Sequence, residues 1–392
     1  MSKSSIVKVA VTQHEPVWFD LTATVDKTCK LIAEAAREDA KLVVFPEVWI
    51  PGYPAWIWQR PMDVELGTKY VKNSLSYDSP EMARICTAAR TARIAVVLGF
   101  SENDHNSLYI AQCIINASGT IVMKRRKIKP THMERTVYGD GDGTSLNNVV
   151  EVEGIGRVGG LNCWEHMQPL LKYHTNSQHE EIHVAAWPPM HLAEKGVESK
   201  VAWGMSSEGM YDSLVANTQA AIPFSRFQDS FSSANFPLRL YPSPLSHIEE
   251  LTNLLFQGAS ALSRVHAIEA STFVLCCHPT ISTAGITAHR VEGNPLFGHI
   301  GGGDSAVYGP DGRRMTEPLG MDVEGFVFAD LDMDELISIR LFADAVGHYS
   351  RPDLLWLGAD TREKKHVKRE GDGGSAGREK EKLALEEDKG EV

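Results

Sequence analysis

From Ile6 to Thr12 apolar and polar residues alternate, the two-residue rhythm of a strand with one buried face. From Thr24 to Ala40 the rhythm changes. Val25, Cys29, Ile32 and Ala36 recur at three- and four-residue intervals, which predicts a helix. Lys41-Leu42-Val43-Val44-Phe45 is a short apolar run closed by Pro46, the pattern of a buried strand. Ser79-Pro80 opens a second helix through Arg93, with proline in the first turn, where its missing N–H costs nothing. Ile94 to Gly99 and Leu108 to Ile115 read as strands. Ala117-Ser118-Gly119-Thr120 is a turn that sends the chain back as a hairpin through Ile121-Val122-Met123. Further strands are predicted just before Asn162 and over Ile182 to Ala186, Thr272 to Cys277, Ser305 to Tyr308 and Phe326 to Leu331. Pro310-Asp311-Gly312 forms a hairpin-type turn. Strands alternate with helices early and hairpins enter later, so the pattern predicts an α/β layered fold with a mixed sheet.

Two stretches break the rhythm. Residues from about Met210 to Gly258 are rich in Ser, Pro, Phe and Asn and hold no period, which is unusual inside a compact domain. From about 359 to 392 charged residues dominate and large apolar ones nearly vanish, so a disordered tail is expected there. The chain of 392 residues can bury a full core. Its net charge of −12 argues against nucleic acid and an anionic membrane surface as partners. No apolar run is long enough to span a bilayer, and the N-terminus lacks the apolar core of a secretory signal. Six scattered cysteines do not make a disulfide framework, so a reducing cytoplasm is the expected compartment.

Four residues stand out as candidate chemistry. Cys163 lies in Gly159-Gly160-Leu161-Asn162-Cys163-Trp164-Glu165-His166, which reads as strand, sharp turn and helix. That layout is the thiol version of a nucleophile elbow, and N–H groups at a helix start would make the thiol more acidic. A buried structural cysteine is the alternative. Glu47 directly follows a buried strand in Phe45-Pro46-Glu47, among aromatics and prolines. Partial desolvation would raise its pKa and suit it to accept a proton; a surface acid at a loop start is the plainer reading. In Lys124-Arg125-Arg126-Lys127-Ile128-Lys129, alternation puts Arg125, Lys127 and Lys129 on one face. One lysine turned inward could stabilise developing negative charge. Glu134, taken alone, reads as a salt-bridge partner for Arg126 or Arg135. His174, His179 and His183 read as scattered polar histidines and not a zinc site. Gly301-Gly302-Gly303 reads as a loop and not a dinucleotide site.

Taken together, the Glu after Phe-Pro, the Lys in Arg-Arg-Lys-x-x-Pro-Thr and the Cys in Asn-Cys-Trp-Glu resemble the nitrilase branch of the carbon–nitrogen hydrolase superfamily. Residues 163–174 and 347–356 look most like the arylacetonitrilase-type nitrilases of filamentous fungi. The related cyanide hydratases usually carry Asn where His166 stands. The resemblance implies an α-β-β-α sandwich over residues 1–358, with 210–258 as an atypical insertion of about fifty residues between the Trp203 to Gly209 region and a helix over Ser260 to Glu269. That insertion reads as a surface loop at an oligomer contact or, as its lack of pattern favours, a retained intron.

The resemblance also implies chemistry. Glu47 acts as base, Cys163 as nucleophile, and Lys127 with the Trp164 N–H stabilises charge on the nitrile nitrogen. Glu134 helps position water. The path runs through a thioimidate and a thioester to acid and ammonia, with no metal or organic cofactor. Trp164, Tyr53, Trp187 and Trp56 are the aromatic candidates for the substrate's apolar part. Self-association into dimers and larger spirals is implied as well. The alternatives are a nitrile or cyanide hydratase releasing amide, an amidase, and a non-catalytic filament subunit.

Overall fold

A computed structural model describes residues 6–189, 258–363 and 367. The expected insertion, apart from Gly258, lies outside them, and so does the expected charged tail beyond 359–363 and 367.

The apolar alternation of the N-terminus becomes β1 (Ile6–Gln13), and the first helical stripe becomes α1 (Leu21–Arg37), started by the Asp20 side chain accepting from the Ala23 N–H. β2 (Leu42–Val44) is buried throughout. α2 (Val64–Asn73) was not anticipated from the sequence. α3 (Pro80–Ala92) is capped by Ser79, as its Ser-Pro start predicts. β3 (Ala95–Asp104), β4 (Ser107–Ile115) and β5 (Ile121–Arg126) form the expected hairpins. β6 (Val149–Val152) is a short edge strand that sequence pattern passed over. β7 (Gly156–Asn162), α4 (Pro169–Asn176), β8 (Ile182–Ala186), α5 (described over 258–270) and β9 (Phe273–Cys277) follow. The chain then passes through α6 (Thr283–His289), β10 (Ala306–Tyr308), β11 (Gly325–Asp332) and α7 (Asp334–Phe342).

The strands form two sheets, one of six in the order β11-β1-β2-β3-β4-β5 and one of five in the order β10-β9-β8-β7-β6. β1, β2 and β3 run parallel, as do β7, β8 and β9, and antiparallel strands flank each set. Side chains one apart on a strand face opposite ways, so each sheet has two apolar faces to bury. Val9, Val11, Val44 and Val97 of the first sheet pack against Val158, Val184, Phe273 and Leu275 of the second. On the outer face of the first sheet, Ala10, Val43, Val96 and Leu98 meet Ile32, Ala35, Ile85 and Ala89 of α1 and α3. Ala185, Val274 and Cys276 of the second sheet meet Ala259 and Ala267 of α5. The order of layers is therefore helix, sheet, sheet, helix, the sandwich that the motifs implied. Among the described residues no helix is long and apolar enough to cross a membrane.

Candidate active site

Three strand ends meet. Glu47 stands just beyond β2, Lys127 is the residue after β5, and Cys163 is the residue after β7. In layered α/β proteins the space outside the carboxyl ends of strands is where ligands bind. The fourth residue, Glu134, comes from a 3-10 turn over His132–Thr136. There Thr131 and Glu134 cap each other, so the turn itself presents the carboxylate.

Lys127 joins the acids. Its Nζ donates to Glu47 Oε1 at 2.8 Å and to Glu134 Oε2 at 2.8 Å, and all three side chains are buried. Glu134 Oε2 also accepts the Thr131 N–H, and its Oε1 accepts from the Tyr53 hydroxyl at 3.0 Å. Cys163 Sγ and one oxygen each of Glu47 and Glu134 all lie within 4.8 Å of one another. Glu47 Oε2 is buried with no hydrogen-bond partner. A buried acceptor left open is costly unless something uses it, and a thiol proton within reach is such a use. The same three donor atoms could hold a cation, but the Lys127 ammonium already bridges the two carboxylates.

The electrostatics follow from burial. Desolvation raises Glu47 above the ordinary carboxylate range; Lys127 offsets part of this and the Glu134 charge adds to it. Burial disfavours the Lys127 ammonium, yet Glu134 and Glu47 overrule it and hold the amine well above its usual range. Burial also pushes the Cys163 thiol well up, with Lys127 pulling the other way. The sequence-based expectation of an acidified thiol is thereby corrected. The elbow is real, with Cys163 at φ +52 in the left-handed region, but only a short 3-10 turn over Cys163–Met167 follows it. Desolvation outweighs the few N–H groups there. Burial thus favours the neutral form of the thiol in the free site.

Backbone packing sets these positions. Gly99 on β3 passes directly beneath the Glu47 loop: a Cβ there would lie 2.2 Å from the Pro46 carbonyl oxygen and 3.1 Å from Glu47 Cα. Only glycine permits that approach. Glu165 ties the elbow to the lysine. It accepts from Arg125 Nη2 at 2.7 Å, from the Ile128 N–H at 2.8 Å and from the Asn162 N–H at 2.8 Å. Burial works against its charge, but Arg125 and the two N–H groups hold it below the ordinary carboxylate range. Sequence reading did not pick out Glu165, although Asn162-x-x-Glu165 carries the capping-box spacing.

The remaining candidates divide. Arg125 and Lys127 turn inward as alternation predicted, whereas Lys129 is on the surface, paired with Asp140. Glu134 pairs with Lys127 and not with Arg126, which binds Glu102 and Asp104. Tyr53 reaches the site through Glu134 and stacks on Phe297, ring centroids 5.4 Å apart. Trp164 lines a cavity of about 810 Å³ beside the elbow, with Ile128, Thr131, Arg135 and Leu171 on its walls. Trp187 is fully buried, donates to Ser263 and stacks on His166. Trp56 is packed among Phe19, Tyr70 and His289. His179 is exposed and His174 half-buried, but His183 is not a scattered polar residue: it is buried against Glu180, His166 and His266.

A thiol, an open carboxylate oxygen and a clamped ammonium just beyond three strand ends are the parts of a hydrolase that attacks an electrophilic carbon through sulfur. The sequence model of the carbon–nitrogen hydrolase family matches residues 8–222, and the chain belongs to that family. An arylacetonitrilase from Aspergillus niger is 52% identical over 377 residues, covering 96% of this chain and 95% of that protein. One from Hypocrea virens is 50% identical over 353 residues, covering 90% and 91%. The fold is also that of a solved carbon–nitrogen hydrolase from Helicobacter pylori, with a TM-score of 0.57 at 16% identity, covering 89% of this chain and 96% of that one.

Proposed function

We propose that the chain hydrolyses arylacetonitriles to carboxylic acid and ammonia, with Cys163 as nucleophile, Glu47 as base, Lys127 as charge stabiliser and Glu134 as partner of the base. The observation that carries this is a Glu47 carboxylate with one unpartnered oxygen, lying within 4.8 Å of the Cys163 sulfur, and Lys127 held between two carboxylates. The half-identical arylacetonitrilases, matched over nearly their whole length, support the choice of substrate.

The Cys163 proton passes to Glu47 as Sγ attacks the nitrile carbon. One carbon–nitrogen π bond opens onto nitrogen, which takes the proton back from Glu47. Lys127 and the Trp164 N–H stabilise the charge in between. The product is a thioimidate. Water, losing a proton to Glu47, adds to its carbon, and Glu47 passes that proton to the nitrogen. The new hydroxyl then gives up its proton to the nitrogen as the carbonyl forms, the carbon–nitrogen bond breaks and ammonia leaves. The thioester left behind takes a second water, releasing the acid and restoring the thiol. Trp164 and Tyr53 are proposed to flank the aryl group, while the packing of Trp187 assigns it to the wall behind the elbow. Incubation with phenylacetonitrile, scoring acid, amide and ammonia, tests the reading. Amide as the main product would replace it with a hydratase, in which the tetrahedral adduct expels sulfur and keeps nitrogen.

The pH dependence should report the Glu47 environment. Glu47 accepts a proton only when ionised, so kcat/KM rises with pH through its elevated pKa. The Glu134 charge contributes to that elevation. Glu134→Gln removes it and leaves Lys127 to Glu47 alone, so the acidic limb should move to lower pH while the plateau falls by roughly 10²-fold. A pH–rate profile with an unmoved limb would deny the coupling.

We further propose self-association and a cytoplasmic location. Phe342, Leu341, Leu355 and Trp356 stand 77–90% exposed along the C-terminal segment, an apolar strip unusual on a lone molecule. Sedimentation should find oligomers, and Phe342→Asp with Trp356→Asp should shift them toward monomer; an unchanged distribution would remove the strip from the interface. All six cysteines are free, in keeping with a reducing compartment.

A further inference from the structure

A chain of hydrogen bonds runs from the elbow into the layer behind it. His166 Nδ1 lies 2.7 Å from the Cys163 carbonyl oxygen, and His166 Nε2 lies 3.0 Å from His183 Nε2. His183 Nδ1 lies 2.7 Å from Glu180 Oε2, and His266 Nε2 lies 2.6 Å from Glu180 Oε1. All four side chains are buried, and the reaction steps above use none of them.

Counting protons orients the chain. A carbonyl only accepts, so His166 Nδ1–H donates to Cys163. His266 donates to one Glu180 oxygen. The contacts His166–His183 and His183–Glu180 then need one proton each. Two neutral imidazoles supply two protons for three contacts, so a third is required. Burial alone disfavours an imidazolium at His166 or His183. The third proton is nevertheless needed by the geometry, and Glu180 neutralises it as the counter-charge of His183: burial works against the Glu180 charge, but His183 and His266 hold the carboxyl below its ordinary range. The group as a whole is neutral, and His166 Nδ1–H faces the Cys163 carbonyl.

That carbonyl matters because of what lies across its peptide. In a trans peptide the C=O and the following N–H point in opposite directions. Fixing the Cys163 carbonyl fixes the Trp164 N–H, which faces the Cys163 sulfur. At φ +52 Cys163 sits in the sparsely populated left-handed region, a conformation that costs free energy for a residue with a Cβ and so needs outside contacts to hold it.

We propose that Glu180, His183 and His166 form a positioning relay that locks the Cys163–Trp164 peptide and aims the Trp164 N–H at the nitrogen that gains charge during attack. This rests on the nitrile reaction proposed above. The relay makes no contact with substrate, so its loss acts on turnover and not on binding.

Three variants test it. His166→Leu should lower kcat by about 10²-fold, the cost of one misaimed donor, and leave KM within about twofold. His166→Asn places an amide N–H near the lost Nδ1 and should recover at least tenfold of that loss. Glu180→Gln can donate to His183 and accept from His266, reproducing the neutral chain, so it should keep kcat within about threefold. Unchanged kcat in His166→Leu, or equal losses in the leucine and asparagine variants, would overturn the relay. If the leucine variant does not fold, Glu180→Gln decides: near-normal kcat supports the neutral chain and a hundredfold loss overturns it. A wild-type protein inert toward the nitrile would sink the reaction instead. The relay is then read from iodoacetamide alkylation of Cys163, followed by peptide mass spectrometry. Alkylation should be slower in His166→Leu and near normal in His166→Asn; equal rates would overturn it.

Discussion

Cys163→Ala should abolish conversion of phenylacetonitrile, with a loss on the order of 10⁴-fold or more, while the protein keeps its fold. Alanine retains the Cβ and removes one sulfur from a packed layer, so the cost in stability is that of a small cavity. The rate cost is far larger, because no other group is placed to bond the nitrile carbon. Cys276 and Cys277 are buried in β9, and Cys277 is held by the Thr12 and Val44 carbonyls and the Thr12 hydroxyl on the facing strands. Neither can substitute. Acid and ammonia measured against a circular-dichroism control would check this. A variant within tenfold of wild type would show that sulfur is not the nucleophile.

Lys127→Met should fail in two ways at once. Activity should fall by several orders of magnitude, because among the described residues Lys127 is the cation bonded to both Glu47 and Glu134. Stability should fall by about 3–5 kcal/mol, the cost of leaving buried charge without its partner. That deficit has a sign in pH. Glu47 is already held above the ordinary carboxylate range by burial, and without Lys127 its folded-state pKa rises further. A carboxyl whose folded pKa exceeds its unfolded value is protonated and tolerated at low pH. It destabilises as pH climbs from the unfolded value to the folded one. Wild-type Glu47 already carries this slope up to about 8, so the gap between variant and wild type should open above that pH, where only the variant goes on losing stability. Urea denaturation at several pH values would measure it, and a gap that stays constant would mean that Glu47 does not carry the buried charge.

Much of this was legible before any coordinates. Pro46 closing a buried run marked a strand end, and Glu47 stands there. Alternation in the basic cluster turned Lys127 inward, and the Asn-Cys-Trp-Glu turn announced the elbow. What stayed hidden depends on tertiary meeting. Glu134 looked like a partner for the arginines beside it because sequence ranks neighbours by distance along the chain. The fold instead brings the 3-10 turn back over the end of β5. His183 looked polar and scattered because its partners come from the elbow, the loop before β8 and α5, three places that share no local pattern. The thiol's acidity was misjudged for a similar reason: the motif shows a turn of N–H groups but not the depth at which it is buried. Short β6 lay at a sheet edge, where one buried position is too few to set a rhythm.

Two acids share one ammonium at the centre of this site, so an ionised cluster carries a surplus negative charge. Nitriles arrive neutral and are indifferent to it. On the reaction proposed above the product leaves the sulfur as an arylacetic acid; once its proton has passed to solvent, its carboxylate lies a few ångströms from that surplus in a poorly screened interior. Weak inhibition by the end product is the consequence to expect of such a cluster.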